Sequence, residues 1–102
     1  MHIHHIAIWT ADLEKMKDFY VKYFKCTAGE LYVNPLKKFS SYFLTFGNGA
    51  SIELMNRTDI TETQMKDTLG LAHIALDAGS SEEVDRLTSF LEKEGIRIAG
   101  KP

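Results

Sequence analysis

Residues 4–20, HHIAIWTADLEKMKDFY, combine two hydrophobic periods in one short stretch. Alternating side chains over residues 3–9 predict a β-strand, with His5, Ala7 and Trp9 on one face and Ile6 and Ile8 on the other. The residues that follow change to helical spacing. Their apolar positions form one stripe, which consists of Leu13, Met16, Tyr20, Tyr23 and Phe24. The stretch therefore predicts a strand that leads directly into an amphipathic helix.

Three extended segments follow this helix: ELYVN, FSSYFLTF and ASIELM. The last two are joined by Gly47, Asn48 and Gly49, which favour a hairpin because these residues tolerate positive φ. Residues 1–55 are therefore expected to form one complete βαβββ unit. Residues 56–69 are polar and show no hydrophobic period, so they are interpreted as a linker.

The opening motif returns after this linker, because HIAL at 73–76 repeats HIAI at 5–8 with an offset of 68 residues. A second predicted helix follows, with Ser80 and Glu83 at capping-box spacing and Gly95 suited to its C-terminal end. The counterpart of Glu53 would fall at position 121, beyond Pro102. The sequence therefore predicts an α+β fold of paired βαβββ repeats in a single domain, 1–102. Its second repeat, 70–102, is truncated.

The amino-acid composition of the chain limits the classes of function that it can have. The net charge is −2 without a basic cluster, so electrostatics do not favour a nucleic-acid partner. Cys26 is the only cysteine, which excludes an internal disulfide. The chain shows no signal-peptide pattern and no apolar run of the roughly 20 residues that span a bilayer. We therefore expect a cytoplasmic protein with no membrane partner.

The duplication makes His5 and His73 equivalent, each on the strand face that points away from the following helix. Glu53 lies opposite Ile52 and Leu54 on its own strand, so the two imidazoles and this carboxylate should converge. Such a set suits a divalent metal. The alternative is that these are ordinary solvent-facing side chains. His2 and His4 are interpreted as exposed residues without a role, and Cys26 as a packed, inert thiol.

Three segments, residues 4–20, 48–54 and 70–77, resemble the vicinal oxygen chelate superfamily. This group includes glyoxalase I, bleomycin and fosfomycin resistance proteins, methylmalonyl-CoA epimerase and extradiol dioxygenases. The resemblance implies that His5, Glu53 and His73 match the first three metal-ligand positions of the glyoxalase-like branch. The fourth ligand, a carboxylate on the last strand of the paired module, has no counterpart in this sequence. The implied cofactor is Zn, Ni, Mn or Fe.

The resemblance also implies a function. We expect a metal-dependent lyase or isomerase that acts on a small substrate with vicinal oxygens through an enediolate-like intermediate. Glu53 could also serve as the base, and Trp9 and Phe43 are expected to line the substrate pocket. Glutathione-using relatives carry an arginine at the position of Trp9, and an indole cannot neutralise a carboxylate, so glutathione is disfavoured. The alternative is a metal-free binding or resistance protein of the same fold. A homodimer would cover the sheet edge that one and a half repeats leave unpaired.

Overall fold

A computed structural model describes residues 1–102. The chain divides into two compact units, Met1–Thr63 and Gln64–Pro102. The division falls inside the segment interpreted as a linker. No helix is long and apolar enough to cross a membrane.

The first unit contains a five-stranded sheet and one long helix. The elements are β1 (His5–Trp9), α1 (Leu13–Phe24), β2 (Thr27–Ala28), β3 (Tyr32–Asn34), β4 (Phe39–Thr45) and β5 (Ser51–Arg57). The sheet order is β1-β5-β4-β2, and β3 also pairs with β4. β1 runs parallel to β5, while the other pairs are antiparallel. This arrangement confirms the predicted βαβββ order.

Two details of the strands differ from the prediction. The expected strand ELYVN forms only in part, as β3, and an additional short strand that was not predicted, β2, pairs with the opposite end of β4. β5 does not end at Met55 but continues through Asn56 and Arg57. Asn56 donates from Nδ2 to the Thr10 carbonyl at 2.8 Å, so a polar residue here ties β5 to the start of α1 instead of beginning a linker.

The hydrophobic core of the first unit lies between α1 and the sheet. Cys26, Leu44, Ile52 and Leu54 are buried, and Leu13, Met16 and Tyr20 of the predicted helical stripe pack against them. The N-terminus of α1 is capped as expected, because Asp12 Oδ1 accepts from the Lys15 amide at 3.1 Å. The hairpin between β4 and β5 also forms, with Gly49 at φ +79°. The core covers one sheet face and leaves the opposite face open.

The second unit contains one helix, α2 (Ser81–Lys93). Ser80 caps it by accepting from the Glu83 amide. The Glu83 carboxylate pairs with Arg86, and no reciprocal bond to the Ser80 amide is formed. Gly95 at φ +80° ends the helix as predicted, and the Ile96 amide donates to the Leu91 carbonyl at 2.9 Å.

The strand predicted at residues 73–76 is not formed, so this part of the prediction was wrong. In the first unit, β1 is held by parallel hydrogen bonds to β5. No strand of the structure pairs with residues 73–76. An extended segment without a hydrogen-bonded neighbour cannot satisfy its backbone groups as a strand.

Candidate functional site

Two of the predicted ligands meet on the sheet face opposite α1. We call this surface the His5 face; its residues are His5, Ala7 and Trp9 of β1, Glu53, Met55 and Arg57 of β5, and Phe39 and Phe43 of β4. Ala7 pairs with Glu53 in the register of β1 and β5. The small side chain of Ala7 leaves room for the Glu53 carboxylate, whose Oε1 lies 3.7 Å from His5 Nε2. The Glu53 side chain is only 16% exposed, against 38% for His5.

Aromatic packing fixes the position of the His5 ring. Phe43 lies opposite Glu53 in β4, and its ring meets the His5 imidazole edge to face at 5.3 Å. Phe43 was predicted to line a substrate pocket, and the structure places it beside the His5–Glu53 pair. The pair therefore lies against an apolar wall on one side.

His4 contacts His5 through the other ring nitrogen. The two Nδ1 atoms are 2.9 Å apart, so one imidazole donates a proton to the other. His4 is exposed, as the sequence interpretation expected, and it also lies within hydrogen-bonding distance of His5. When His5 donates from Nδ1, its Nε2 keeps a lone pair directed towards the Glu53 side.

The geometry of His5 and Glu53 fits a divalent cation. Ligand bonds of about 2.0–2.2 Å place two donors on one ion roughly 3.0–3.5 Å apart, close to the 3.7 Å observed. A ligating histidine also needs a hydrogen-bond partner on its second nitrogen, and His4 supplies one. The acid and imidazole chemistry of this pair suits Zn, Ni, Mn or Fe.

The third predicted ligand lies in a different part of the chain. His73 is in the second unit, is exposed and belongs to no strand. The chain contains no cluster of three or more His, Cys, Asp or Glu side chains that could hold a metal ion. The structure therefore brings together His5 and Glu53, and a ligand role for His73 stays a prediction.

A groove of about 530 Å³ opens at the other end of the His5 face. It is lined by Trp9, Tyr32, Asn34, Lys37, Phe39 and Arg57. Trp9 was predicted to line a pocket, whereas the other five residues were missed. Arg57 could have been found, since it continues the alternation of Glu53 and Met55 along β5. Phe39 could also have been found, since it alternates with Phe43 along β4. The contributions of Tyr32 and Asn34 depend on how β3 pairs with β4, which the hydrophobic pattern does not reveal.

Arg57 is held in the groove by a carboxylate and an indole. Its Nε and Nη2 donate to the two carboxylate oxygens of Asp59 at 3.0 and 2.6 Å. The guanidinium lies 5.9 Å from the centre of the Trp9 ring, within cation–π range. The Arg57 hydrogen bond lowers the pKa of Asp59, and the same contact raises the pKa of Arg57.

Cys26 takes no part in this site. It is buried in the core on the other side of the sheet. Burial raises the pKa of its thiol, so the thiolate is disfavoured. The structure confirms the prediction that the Cys26 thiol is packed in the core.

The sequence profile of the Glyoxalase/Bleomycin resistance protein/Dioxygenase superfamily matches residues 2–102. The chain belongs to this superfamily, and its α+β fold is the glyoxalase-like fold. Among curated proteins, none matches the sequence significantly.

Several solved structures share the fold. The glyoxalase family protein from Enterococcus faecalis is 27% identical, with a TM-score of 0.75 over 94% of this chain and 74% of that one. The trypanothione-dependent glyoxalase I of Leishmania major is 20% identical, with a TM-score of 0.78 over 100% of this chain and 72% of that one. A glyoxylase/bleomycin resistance protein/dioxygenase domain from Frankia sp. is also 20% identical, with a TM-score of 0.78 over 93% and 74%. At 20% identity the likeness concerns the fold alone.

Proposed function

We propose that this protein is a metal-dependent lyase or isomerase that acts on a small substrate with two adjacent oxygens. The observation that carries the proposal is the approach of His5 Nε2 to Glu53 Oε1 at 3.7 Å on the sheet face that the core leaves uncovered. Membership of the glyoxalase superfamily supports the same chemistry. His5 and Glu53 would hold the cation, and His73 is proposed as a third ligand.

Different residues of the chain would have different roles in this reaction. When bound, a divalent ion would supply Lewis acidity towards the two substrate oxygens. Glu53 would move the substrate proton, because a carboxylate within reach of the reacting carbon can accept and return it. His4 would hold the His5 ring in the tautomer that presents Nε2. Phe43 would exclude water from one side of the pair.

A second candidate function is metal-free binding of a small aromatic ligand, as in a resistance protein. The specific observation in its favour is the aromatic groove, where Trp9 and Tyr32 are 46% and 54% exposed. A binding protein would need these rings but would not need the His5–Glu53 pair.

We also propose a homodimer located in the cytoplasm. β1 pairs only with β5, so its other edge presents unpaired backbone groups. The exposed rings of Trp9 and Phe43 lie on the same unit as this edge. A second copy of the chain could cover both features.

The test begins with elemental analysis of protein purified without a chelator. We expect a bound divalent metal in the unmodified protein, and a loss of it in His5→Ala and in His73→Ala. Finding no metal, with no difference between these variants, would end the proposal. Retention of metal in His73→Ala alone would remove only the third ligand.

A thermal-shift screen separates the two candidate functions. A ligand that binds only the folded state raises the melting temperature. Stabilisation by Ni²⁺, Zn²⁺, Mn²⁺ or Fe²⁺ supports the metal-dependent enzyme. Stabilisation by organic ligands alone supports the metal-free binding protein.

A further inference from the structure

We propose that the groove bounded by Trp9 and Arg57 binds the aryl carboxylate portion of a small molecule. The groove lies on the same sheet face as the His5–Glu53 pair but at the opposite end of β1. The role of the groove in holding one end of the substrate rests on the proposed function. Its role as a binding site for an aromatic anion needs no metal and does not depend on that function.

The aromatic walls of the groove are held in place by their own packing. Phe39 meets Trp9 at 6.3 Å with an interplanar angle of 89°, and it meets Tyr32 at 6.0 Å with an angle of 62°. Trp9 and Tyr32 nevertheless remain about half exposed. Rings supported from one side and open on the other offer an apolar surface on which a flat ligand ring can pack.

The polar rim of the groove consists of hydrogen-bond donors. Asp59 occupies two of the five N–H groups of Arg57, which leaves three for a ligand. Asn34 Oδ1 accepts from the backbone amide of Lys37 at 3.3 Å, so the side-chain amide of Asn34 keeps its NH₂ donors. Lys37 lines the groove, and its ammonium takes part in none of the ion pairs of the chain. None of the six lining residues is acidic, although the Asp59 carboxylate pairs with one of them, Arg57.

The local charge favours an anion although the whole chain is acidic. Lys37, Lys38 and Arg57 against Asp59 give a local charge of about +2, while the chain carries −2. A guanidinium pre-oriented by Asp59 presents parallel N–H bonds that match the two oxygens of a carboxylate. An aryl carboxylate matches both features, because its ring fits the aromatic walls and its anion fits the cationic, donor-rich rim.

Size and position set the shape of this ligand. A groove of about 530 Å³ accommodates an organic molecule rather than a simple inorganic anion. Trp9 and His5 are four residues apart on one strand, which corresponds to about 13 Å between their Cα atoms. A substrate that reached both ends would be elongated, with its vicinal oxygens at His5 and its aryl carboxylate in the groove.

Trp9 is the only tryptophan, so its fluorescence reports directly on the groove. The full chain is titrated in the presence of a chelator with phenylacetate, cyclohexylacetate and phenethyl alcohol. We expect saturable quenching by phenylacetate. The analogues that lack the aromatic ring or the charge should bind about tenfold or more weakly, because each loses one of the two kinds of contact. Equal binding of all three probes, or no saturable change, would overturn the proposal.

Two charge variants make the test specific. Arg57→Gln should weaken phenylacetate binding about tenfold and leave the phenethyl alcohol affinity unchanged. Arg97→Gln removes the same charge at an exposed position in the second unit and should change neither. Circular dichroism verifies that both variants fold, and Lys37→Gln replaces Arg57→Gln if the latter does not.

The outcomes separate the groove from the metal site. Unchanged phenylacetate affinity in the folded charge variant, or an equal loss in Arg97→Gln, contradicts the groove. Because the titration contains a chelator, phenylacetate binding without any metal binding would leave the groove established and remove only the proposed enzyme.

Discussion

At the scale of single residues, the account depends on three neighbouring side chains. His5 is contacted at Nδ1 by His4 and faces Glu53 with Nε2. The imidazole is thus fixed from both sides, which is the arrangement that a ligating histidine requires. Alternation along the strands was enough to predict that His5 and Glu53 share a face. It could not predict the contact of His4, because consecutive strand residues point to opposite faces and His4 precedes the first residue of β1.

His4→Ala tests this arrangement. Loss of the hydrogen bond at Nδ1 should free the His5 ring to rotate and change tautomer, so Zn²⁺ affinity measured by calorimetry should fall about tenfold. His2→Ala is the matched control, since His2 is also exposed but takes no part in the contact. Equal effects of the two substitutions would mean that His4 does not act through His5.

At the scale of helices and strands, the sequence correctly predicted the elements whose apolar residues pack together in the core of the first unit. β1, α1, β4 and β5 all contribute to one core, so their hydrophobic periods and their structures agree. The segment at residues 73–76 has the same pattern as β1 but forms no strand. A strand is completed by hydrogen bonds to a neighbour, and this information lies outside the segment itself.

The substitution Leu44→Ala measures how much the core of the first unit contributes to the free energy of unfolding. Leu44 of β4 is fully buried, so its truncation should lower the free energy of unfolding by about 2–5 kcal/mol. Leu36→Ala makes the same chemical change at a side chain that is 98% exposed. Its effect should stay within about 0.5 kcal/mol in urea denaturation. A small loss for Leu44→Ala would contradict the assigned core.

Cys26 offers a chemical probe of the junction between α1 and β2. Its thiol is buried and its pKa is raised by burial, so a thiol reagent at mildly alkaline pH should react slowly with the folded chain. Reaction should accelerate strongly in denaturant, because the unfolded chain exposes the thiol and restores its ordinary pKa. Rapid labelling without denaturant would show that this junction is open.

At the scale of the whole molecule, the first unit holds the five-stranded sheet with α1, and the second carries one helix. The superfamily profile spans both units, from residue 2 to residue 102. The repeated HIA motif is visible in the sequence alone, but the strand that it predicted at residues 73–76 is not formed. The proposed ligand role of His73 goes beyond what strand and helix periods can predict, because those periods describe only local structure.

The exposed edge of β1 leads to a prediction about assembly. Sedimentation at micromolar concentration should give a species of twice 11.6 kDa, since a second copy would cover the unpaired edge. A stable monomer under these conditions would refute the proposed homodimer, although the site of one chain would be unaffected.

The central claim is that His5 and Glu53 act together on one divalent cation, and a double-mutant cycle measures it directly. Zn²⁺ is titrated calorimetrically into the unmodified chain, His5→Ala, Glu53→Gln and the double variant, with the exposed Glu62→Gln as control. We predict that each single substitution weakens binding and that the double variant loses less than the sum, because the first substitution already breaks the shared site. Glu62→Gln should bind as the unmodified chain does. Affinities that are unchanged in the single variants, or losses that simply add, would contradict the claim.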